Sequence, residues 1–192
     1  MNGIVFLDRD GTLIEEEGYL SDPARLREIP GAAESLGRLV RGGYLIAVVS
    51  NQAGLAKGKF GRREMEAVHR AFVAHFRDRG VAFDGVEYCP HHPEGVVEEY
   101  RLVCGCRKPA TGMAERVLAR LSVPASCRRW MVGDKMSDVL MGRGLGAATI
   151  LVATGYGERE RVEMERHGLR ADLYVPSIRE AVDRILSGED VT

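Results

Sequence analysis

Four consecutive apolar residues, Ile4, Val5, Phe6 and Leu7, run directly into Asp8-Arg9-Asp10-Gly11-Thr12. A short apolar run with no polar alternation reads as a strand buried on both faces. A chain that opens this way must cover both sides of a sheet and accommodate two carboxylates at a buried strand end. Such carboxylates are costly unless their charge is offset, and a bound cation is a usual partner. Gly11 permits the sharp turn needed there. Asp and Gly are also ordinary turn formers, so this stretch alone is compatible with a plain acidic turn.

The pattern recurs. Residues 44–49, 85–89, 130–134, 147–152 and 172–175 read as further strands. Between them the apolar spacing is helical. Ala33, Leu36, Leu39 and Val40 predict a helix that follows Pro30-Gly31 and closes at Gly42-Gly43. Met65, Val68, Phe72 and Phe76 line one face of a long helix over 62–79. Thr111 reads as the N-cap of a helix through Val117, Leu118 and Leu121, and Ser137-Asp138 as the start of the next. Residues 158–167 and a segment from Ser177 complete the helices, whereas 15–30 is polar and irregular. There is no repeat, linker or low-complexity tract, and 192 residues suffice for one core. The expectation is one domain over 1–192, an α/β doubly wound parallel sheet with flanking helices and no large cap domain. In such sheets ligands bind beyond the carboxyl ends of the strands. Asp8, Ser50 and Asp134 each sit at such an end and should converge.

The formal net charge of −1 gives no global basic field for nucleic acid. No apolar run is long enough to span a membrane, and the N-terminus lacks the basic and apolar regions of a secretory signal. The expected location is therefore the cytoplasm, where clustered thiols more often bind metal than form disulfides. Cys89-Pro90-His91-His92 and Cys104-Gly105-Cys106 place three thiols and an imidazole in two tight pairs. Cys89, His91, Cys104 and Cys106 make a Cys₃His set, a common closed structural zinc site, in a loop over about 89–109. A disulfide or unligated thiols are the alternatives, and His92 is an alternative to His91. Cys127 reads as a core residue, and His69, His75 and His167 as packing or surface residues.

Asp-x-Asp-Gly-Thr after an apolar strand resembles the nucleophile motif of the haloacid dehalogenase (HAD) superfamily of phosphatases. Phosphate ester hydrolysis needs a nucleophile, a proton donor for the leaving oxygen and cations against phosphoryl charge. The resemblance implies that Asp8 attacks phosphorus to give an aspartyl-phosphate, and that Asp10 protonates the leaving alkoxide and then takes a proton from water. It implies Ser50 and Lys108 as phosphoryl-oxygen partners. It also implies that Asp134 binds Mg²⁺ with Asp8 and the backbone carbonyl of Asp10. On the residues alone, Ser50 could be a turn residue and Lys108 a solvated lysine. Asp138 could be a further ligand, a support or a first-turn helix acid, and Lys135 could pair with carboxylates or face water.

Taken with Gly18-Tyr19, Ser50-Asn51-Gln52, Gly58-Lys59-Phe60, Cys106-Arg107-Lys108-Pro109 and Gly133-Asp134-Lys135, the chain resembles one HAD branch, the D-glycero-D-manno-heptose 1,7-bisphosphate 7-phosphatases. That resemblance implies a bacterial sugar bisphosphate as the small-molecule partner, in the making of a nucleotide-activated heptose for lipopolysaccharide or surface glycans. It also implies substrate contacts from Thr12, Glu16, Glu17, Gly18, Tyr19, Asn51, Gln52, Ala53, Arg107 and Lys135. Lys57, Lys59 and Arg107 are cations beyond those one phosphoryl group requires, which suits a second phosphate. A monomer is expected. Competing readings are a histidinol-phosphate phosphatase and, from another class, a non-catalytic zinc-loop binding module; a polynucleotide phosphatase is weaker, since no basic stripe with interleaved aromatics is evident.

Overall fold

The computed structural model describes residues 1–188; the last four residues of the expected 1–192 domain lie outside the described part. Six strands, β1 (Gly3–Leu7), β2 (Tyr44–Asn51), β3 (Gly85–Cys89), β4 (Arg129–Gly133), β5 (Ala148–Val152) and β6 (Leu173–Val175), form one sheet. Their order is β3-β2-β1-β4-β5-β6 and every pairing is parallel. The chain moves outward from β1 in one direction and then, from β4, in the other. The β1/β4 boundary is thus the place where strand order reverses, the usual position of a ligand crevice.

Side chains alternate across each strand, and both sets are buried. Val5 and Leu7 of β1 join Ile46, Val48, Trp130 and Val132 on one face, beneath α1 (Ala32–Arg41), α2 (Arg62–Arg77) and α6 (Ile178–Ser187). Ile4 and Phe6 join Ala47, Val49 and Met131 on the other, beneath α3 (Gly112–Arg120) and α4 (Met136–Gly144). Leu151 continues this second face against Val139 and against Met164 of α5 (Gly157–Arg166). Helices therefore cover both faces of a parallel sheet, as the uninterrupted apolar strands predict. Among the described residues no helix is long and apolar enough to cross a membrane.

Three local expectations are corrected. Val40 is exposed, because Ala33, Leu36 and Leu39 already define the buried stripe of α1 and Val40 lies a further 100° or so around the helix. Thr111 occupies the N-cap position, as expected, but its side chain does not cap: its backbone is already helical, its hydroxyl reaches forward to Glu115 Oε1 at 2.6 Å, and Gly105 accepts the Gly112 N–H. The helix begun at Arg62 stops at Arg77, two residues short of the expected 79. The irregular segment before α1 is pinned by bridges that pair Asp10 with Ile14 and Ile14 with Glu28. Glu28 then accepts the Ala33 N–H at 2.7 Å, which satisfies a donor at the start of α1 where no side chain caps the helix.

The two faces of α1 give a direct test. Leu36→Ala is expected to cost about 2–5 kcal/mol in a urea melt, because it opens a cavity in a fully buried site. Val40→Ser should stay within about 0.5 kcal/mol of the parent. Similar costs for both would contradict the assigned register.

Candidate active site

The site is built where β1 and β4 end. Asp8 directly follows β1, and its N–H donates to the Val132 carbonyl of β4 at 2.9 Å, so the two strand ends are tied. Asp134 directly follows β4 and is fully buried. Its seat is made by two glycines. Gly11 has φ +78°, and a Cβ there would lie 2.2 Å from Asp134 Oδ2; a Cβ on Gly155 would lie 2.3 Å from the same atom. The Tyr156 N–H donates to that oxygen at 2.9 Å, and the Thr154 hydroxyl donates to the Gly11 carbonyl at 2.6 Å. The turn after β1 and the loop after β5 are thereby closed around one carboxylate.

Lys108 enters from the loop between β3 and α3. Its ammonium meets Asp8 Oδ1 at 2.8 Å, Asp138 Oδ1 at 2.7 Å and the Val49 carbonyl at 2.8 Å. The Val49 contact is a hydrogen bond, and the two carboxylate contacts are buried ion pairs. Asn51 fixes the Lys108 backbone from both sides, its amide donating to the carbonyl at 3.1 Å and accepting from the N–H at 3.0 Å. Asp138 also accepts the Lys135 N–H at 3.1 Å, so it supports both the lysine and the start of α4.

These contacts shape the charges. Burial opposes ionisation of Asp8, but the Lys108 and Lys135 ammoniums outweigh it and hold the carboxyl below its usual range. Burial likewise opposes protonation of Lys108, and Asp138 and Asp8 override it, so its pKa is raised. Asp134 is different. Burial pushes it up to about 8, with Asp8 and Asp138 adding repulsion that Lys135 only partly offsets. Burial also lifts Asp138 to about 6 against the pull of Lys108. Asp8, Asp134 and Asp138 place oxygens within 4.8 Å of one another, and Asp134 Oδ1 and Asp138 Oδ1 are both buried with no hydrogen-bond partner. Clustered hard oxygens, with Asp134 Oδ1 lacking both a hydrogen bond and an ion pair among the described residues, suit a divalent cation such as Mg²⁺. The Asp10 carboxylate stands apart from this cluster.

A pocket of about 340 Å³ opens over the strand ends, lined by Asp10, Glu16, Gly18, Tyr19, Asn51, Gln52, Ala53, Lys57, Arg107, Lys108 and Lys135 among others. Lys135 pairs with Glu16 at 3.0 Å and lies 4.6 Å from the Tyr156 ring centroid, so its ammonium takes a carboxylate partner outside the aspartate cluster. Ser50 lies just below the wall, its Oγ accepting from Gln52 Nε2 at 2.9 Å. Two expected substrate contacts lie off the pocket. Thr12 is fully buried within the turn after β1, and the Glu17 carboxylate is turned toward Arg25. Lys59 also stays outside, over the Tyr19 ring. Conversely, Arg9, Ser137 and Tyr156 line the pocket, and neither residue type nor spacing singles out Ser137 or Tyr156. Arg9 was available, because an arginine between two buried aspartates has to be paired.

The second cluster matches the thiol spacing. Cys106 Sγ lies 3.2 Å from both Cys89 and Cys104 Sγ, and 3.4 Å from His91 Nδ1. Cys89 Sγ lies 3.5 Å from Cys104 Sγ and 3.7 Å from His91 Nδ1. Tetrahedral Zn²⁺ with bonds of about 2.3 Å to sulfur sets sulfurs about 3.8 Å apart, so these donors need open by only a few tenths of an ångström. His92 points elsewhere, with Nδ1 accepting from the Glu94 N–H. All four cysteines are free thiols, and Cys127 is half-buried against the second face of the sheet. Arg107 is tied to the same loop through the His91 carbonyl at 3.2 Å.

The raised Asp134 pKa has a defined sign. A carboxyl with a higher pKa folded than unfolded loses stability as pH climbs from the ordinary carboxylate range toward about 8. Without added magnesium, Asp134→Asn should therefore be more stable than the parent above pH 8 by roughly 1 kcal/mol or more, about 2–4 °C per kcal/mol for a chain of this size. The gap should close near pH 4, as thermal melts across pH will report. Magnesium should raise the melting temperature of the parent and not of the variant.

Comparison with known proteins agrees with this geometry. A family model described as HAD-hydrolase-like matches residues 105–181. The D-glycero-β-D-manno-heptose-1,7-bisphosphate 7-phosphatase of Salmonella typhi is 40% identical over 154 residues, covering 79% of this chain and 80% of that protein. The protein of the same name from Vibrio cholerae is 40% identical over 152 residues, covering 79% and 81%. Among solved structures, the D,D-heptose 1,7-bisphosphate phosphatase of B. bronchiseptica, complexed with magnesium and phosphate, superposes with a TM-score of 0.81 at 26% identity, covering 96% of this chain and 98% of that one. A HAD-like phosphatase from Mesorhizobium loti gives 0.78 at 29% identity, covering 96% and 84%. The chain belongs to the D-glycero-D-manno-heptose-1,7-bisphosphate 7-phosphatase family of HAD-like phosphatases, which are phosphoric monoester hydrolases.

Proposed function

We propose that this protein removes the C7 phosphate of D-glycero-D-manno-heptose 1,7-bisphosphate, in the cytoplasm and as a monomer, on the way to a nucleotide-activated heptose for lipopolysaccharide or surface glycans. The observation that carries this reading is an ionised, lysine-paired Asp8 beneath a pocket whose Lys57 and Arg107 have no carboxylate partner among the described residues. The 40% identity to proteins named for that reaction supports the substrate.

Asp8 attacks phosphorus, and the ester oxygen leaves with a proton from Asp10. Water then attacks the aspartyl-phosphate while Asp10 takes up a proton. Ser50 donates its hydroxyl hydrogen to a phosphoryl oxygen, which it is free to do because Gln52 donates to its lone pair. Lys108 serves as a fixed positive charge beside the transferring group, held in place by its two ion pairs and the Val49 carbonyl. Asp8, Asp134 and the Asp10 backbone carbonyl would hold the cation, with Asp138 in the same carboxylate cluster. Bound Mg²⁺ supplies further positive charge against the phosphoryl oxygens. Zn²⁺ held by Cys89, His91, Cys104 and Cys106 performs no chemistry; it orders the loop that delivers Arg107 and Lys108.

Arg107 and Lys57 take the second, non-reacting phosphate, whose binding energy orients the reacting one. The heptose bisphosphate should thus be strongly preferred over the heptose monophosphate. Arg107→Ala should cut that preference by about 10–100-fold while slowing a generic ester far less. Both anomers of the bisphosphate, the 7-phosphate and histidinol phosphate form the test panel. Equal efficiency on mono- and bisphosphate, or faster turnover of histidinol phosphate, would sink this assignment.

Metal analysis should find one tightly held zinc per chain, distinct from exchangeable magnesium. Its removal should lower activity at saturating magnesium and expose residues 90–107 to proteolysis. Full activity of a zinc-free preparation with four reactive thiols would count against this role.

A further inference from the structure

Lys135 sits on a segment that is held from both sides. The Tyr156 N–H donates to Asp134 Oδ2 at 2.9 Å, and Glu160 Oε2 accepts the Met136 N–H at 2.9 Å. The residues before and after Lys135 are therefore both gripped by the start of α5. The Lys135 N–H itself donates to Asp138 Oδ2 at 3.1 Å. Its backbone is thus fixed, but a flexible four-carbon stem separates that backbone from the ammonium, and ordering such a stem is costly. Two contacts take up its freedom. Glu16 Oε2 lies 3.0 Å from Nζ, and the Tyr156 ring centroid lies 4.6 Å from it. Lysine, glutamate and tyrosine all line the pocket.

The two contacts differ in kind. A carboxylate holds an ammonium by offsetting its charge, whereas an aromatic face attracts it as a neutral partner. An anionic substrate competes with Glu16 for the ammonium but not with the ring. We infer that Tyr156 is a positioning residue for Lys135, its ring face holding the ammonium at the pocket wall so that the lysine meets substrate already ordered. The Arg159 guanidinium lies 4.6 Å from the same centroid, but 72% of that side chain is exposed, so water screens its charge. The contacts of Tyr156 to Lys135 and Asp134 use the ring face and the backbone N–H, and neither uses the phenol hydroxyl. Replacing the ring therefore leaves the bond to Asp134 available, and a phenylalanine retains both contacts.

This inference rests on the contact between Lys135 and substrate that the family resemblance implies, and the experiment separates the two. A double-mutant cycle reads kcat/KM for the heptose bisphosphate, with magnesium, in the parent, Tyr156→Leu, Lys135→Met and the double variant. Tyr156→Leu should lower kcat/KM by about five- to thirty-fold, and Tyr156→Phe should restore it. In the Lys135→Met background the same Tyr156→Leu change should cost less than about two-fold, because its effect acts through the lysine. Tyr156→Met runs the same cycle if Tyr156→Leu does not fold. Proton NMR supplies a readout independent of turnover. The Lys135 ε-methylene signal, identified by its loss in Lys135→Met, should be shifted upfield by the ring in the parent and in Tyr156→Phe and return to the ordinary lysine position in Tyr156→Leu. An unshifted signal in the parent overturns the inference, as do equal losses from Tyr156→Leu in both backgrounds or a Tyr156→Phe variant as impaired as Tyr156→Leu. If Lys135→Met loses activity and Tyr156→Leu does not, the inference alone falls; if Lys135→Met keeps the parent kcat/KM, the implied substrate contact falls with it.

Discussion

The Lys108 ammonium, enclosed between Asp8, Asp138 and the Val49 carbonyl, is the interaction on which the carboxyl end of the sheet depends. Two carboxylates this deeply buried would repel one another and recover no hydration. Lys108 offsets both, and in doing so joins the end of β1, the end of β2 and the first turn of α4. Breaking a buried pair from one side typically costs about 3–5 kcal/mol, because the other charge is left behind. The same contact has a functional consequence. It keeps Asp8 below its ordinary pKa, in the ionised form that a nucleophilic carboxylate requires. Asp134 receives no such lysine contact and is pushed the other way, which is why it is the group whose ionisation most needs a cation.

Lys108 in turn depends on a loop with little apolar surface of its own to bury. Val96 and Val103 of that loop are exposed. Beyond a small cluster in which Tyr100 and Val97 pack with Leu55, Ala56 and Met65, two fixings hold it. The Ala56 carbonyl accepts the Val96 and Val97 N–H groups at 2.8 and 3.0 Å, and the Cys89, His91, Cys104 and Cys106 donors converge at the loop's base. Asn51 adds a third fixing directly at the Lys108 backbone. The loop that carries Lys57 and the loop that carries Arg107 and Lys108 therefore share backbone hydrogen bonds and should move as one unit. A pocket made of such loops can be selective without an inserted domain.

The sheet was legible because its strands are apolar on both faces and need no context to be recognised. The convergence of Asp8, Ser50 and Asp134 followed from parallel topology alone. The cysteine cluster was legible for a different reason, since paired short spacings constrain the donors before folding. What was not legible depended on side-chain direction. Glu17 sits in a stretch with Glu16 and Tyr19, yet Arg25 draws it away while Glu16 turns in to Lys135. Thr111 has the residue type of a cap but the wrong backbone conformation. The family resemblance implies substrate contacts from Asn51 and Gln52, and the structure gives their amides further duties, one at Lys108 and one bridging Asp10 to Ser50. Residue type and spacing locate a site, but which of two neighbouring polar groups faces inward is decided by partners distant in sequence.

The charge balance of the pocket shows how a chain of net charge −1 can still favour a strongly anionic substrate. Five cations line the cavity, Arg9, Lys57, Arg107, Lys108 and Lys135, against the carboxylates of Asp10 and Glu16. Arg9 is neutralised by Asp10, Lys135 by Glu16, and Lys108 by Asp8 and Asp138. Cancelling these pairs leaves Lys57 and Arg107. Their charge is unspent and lies in a concave, partly desolvated site, where fields are focused rather than screened. A second phosphate is the chemical group that would use it, and because these two cations sit nearer solvent than Lys108, the preference they create should weaken as ionic strength rises while the attack at Asp8 does not.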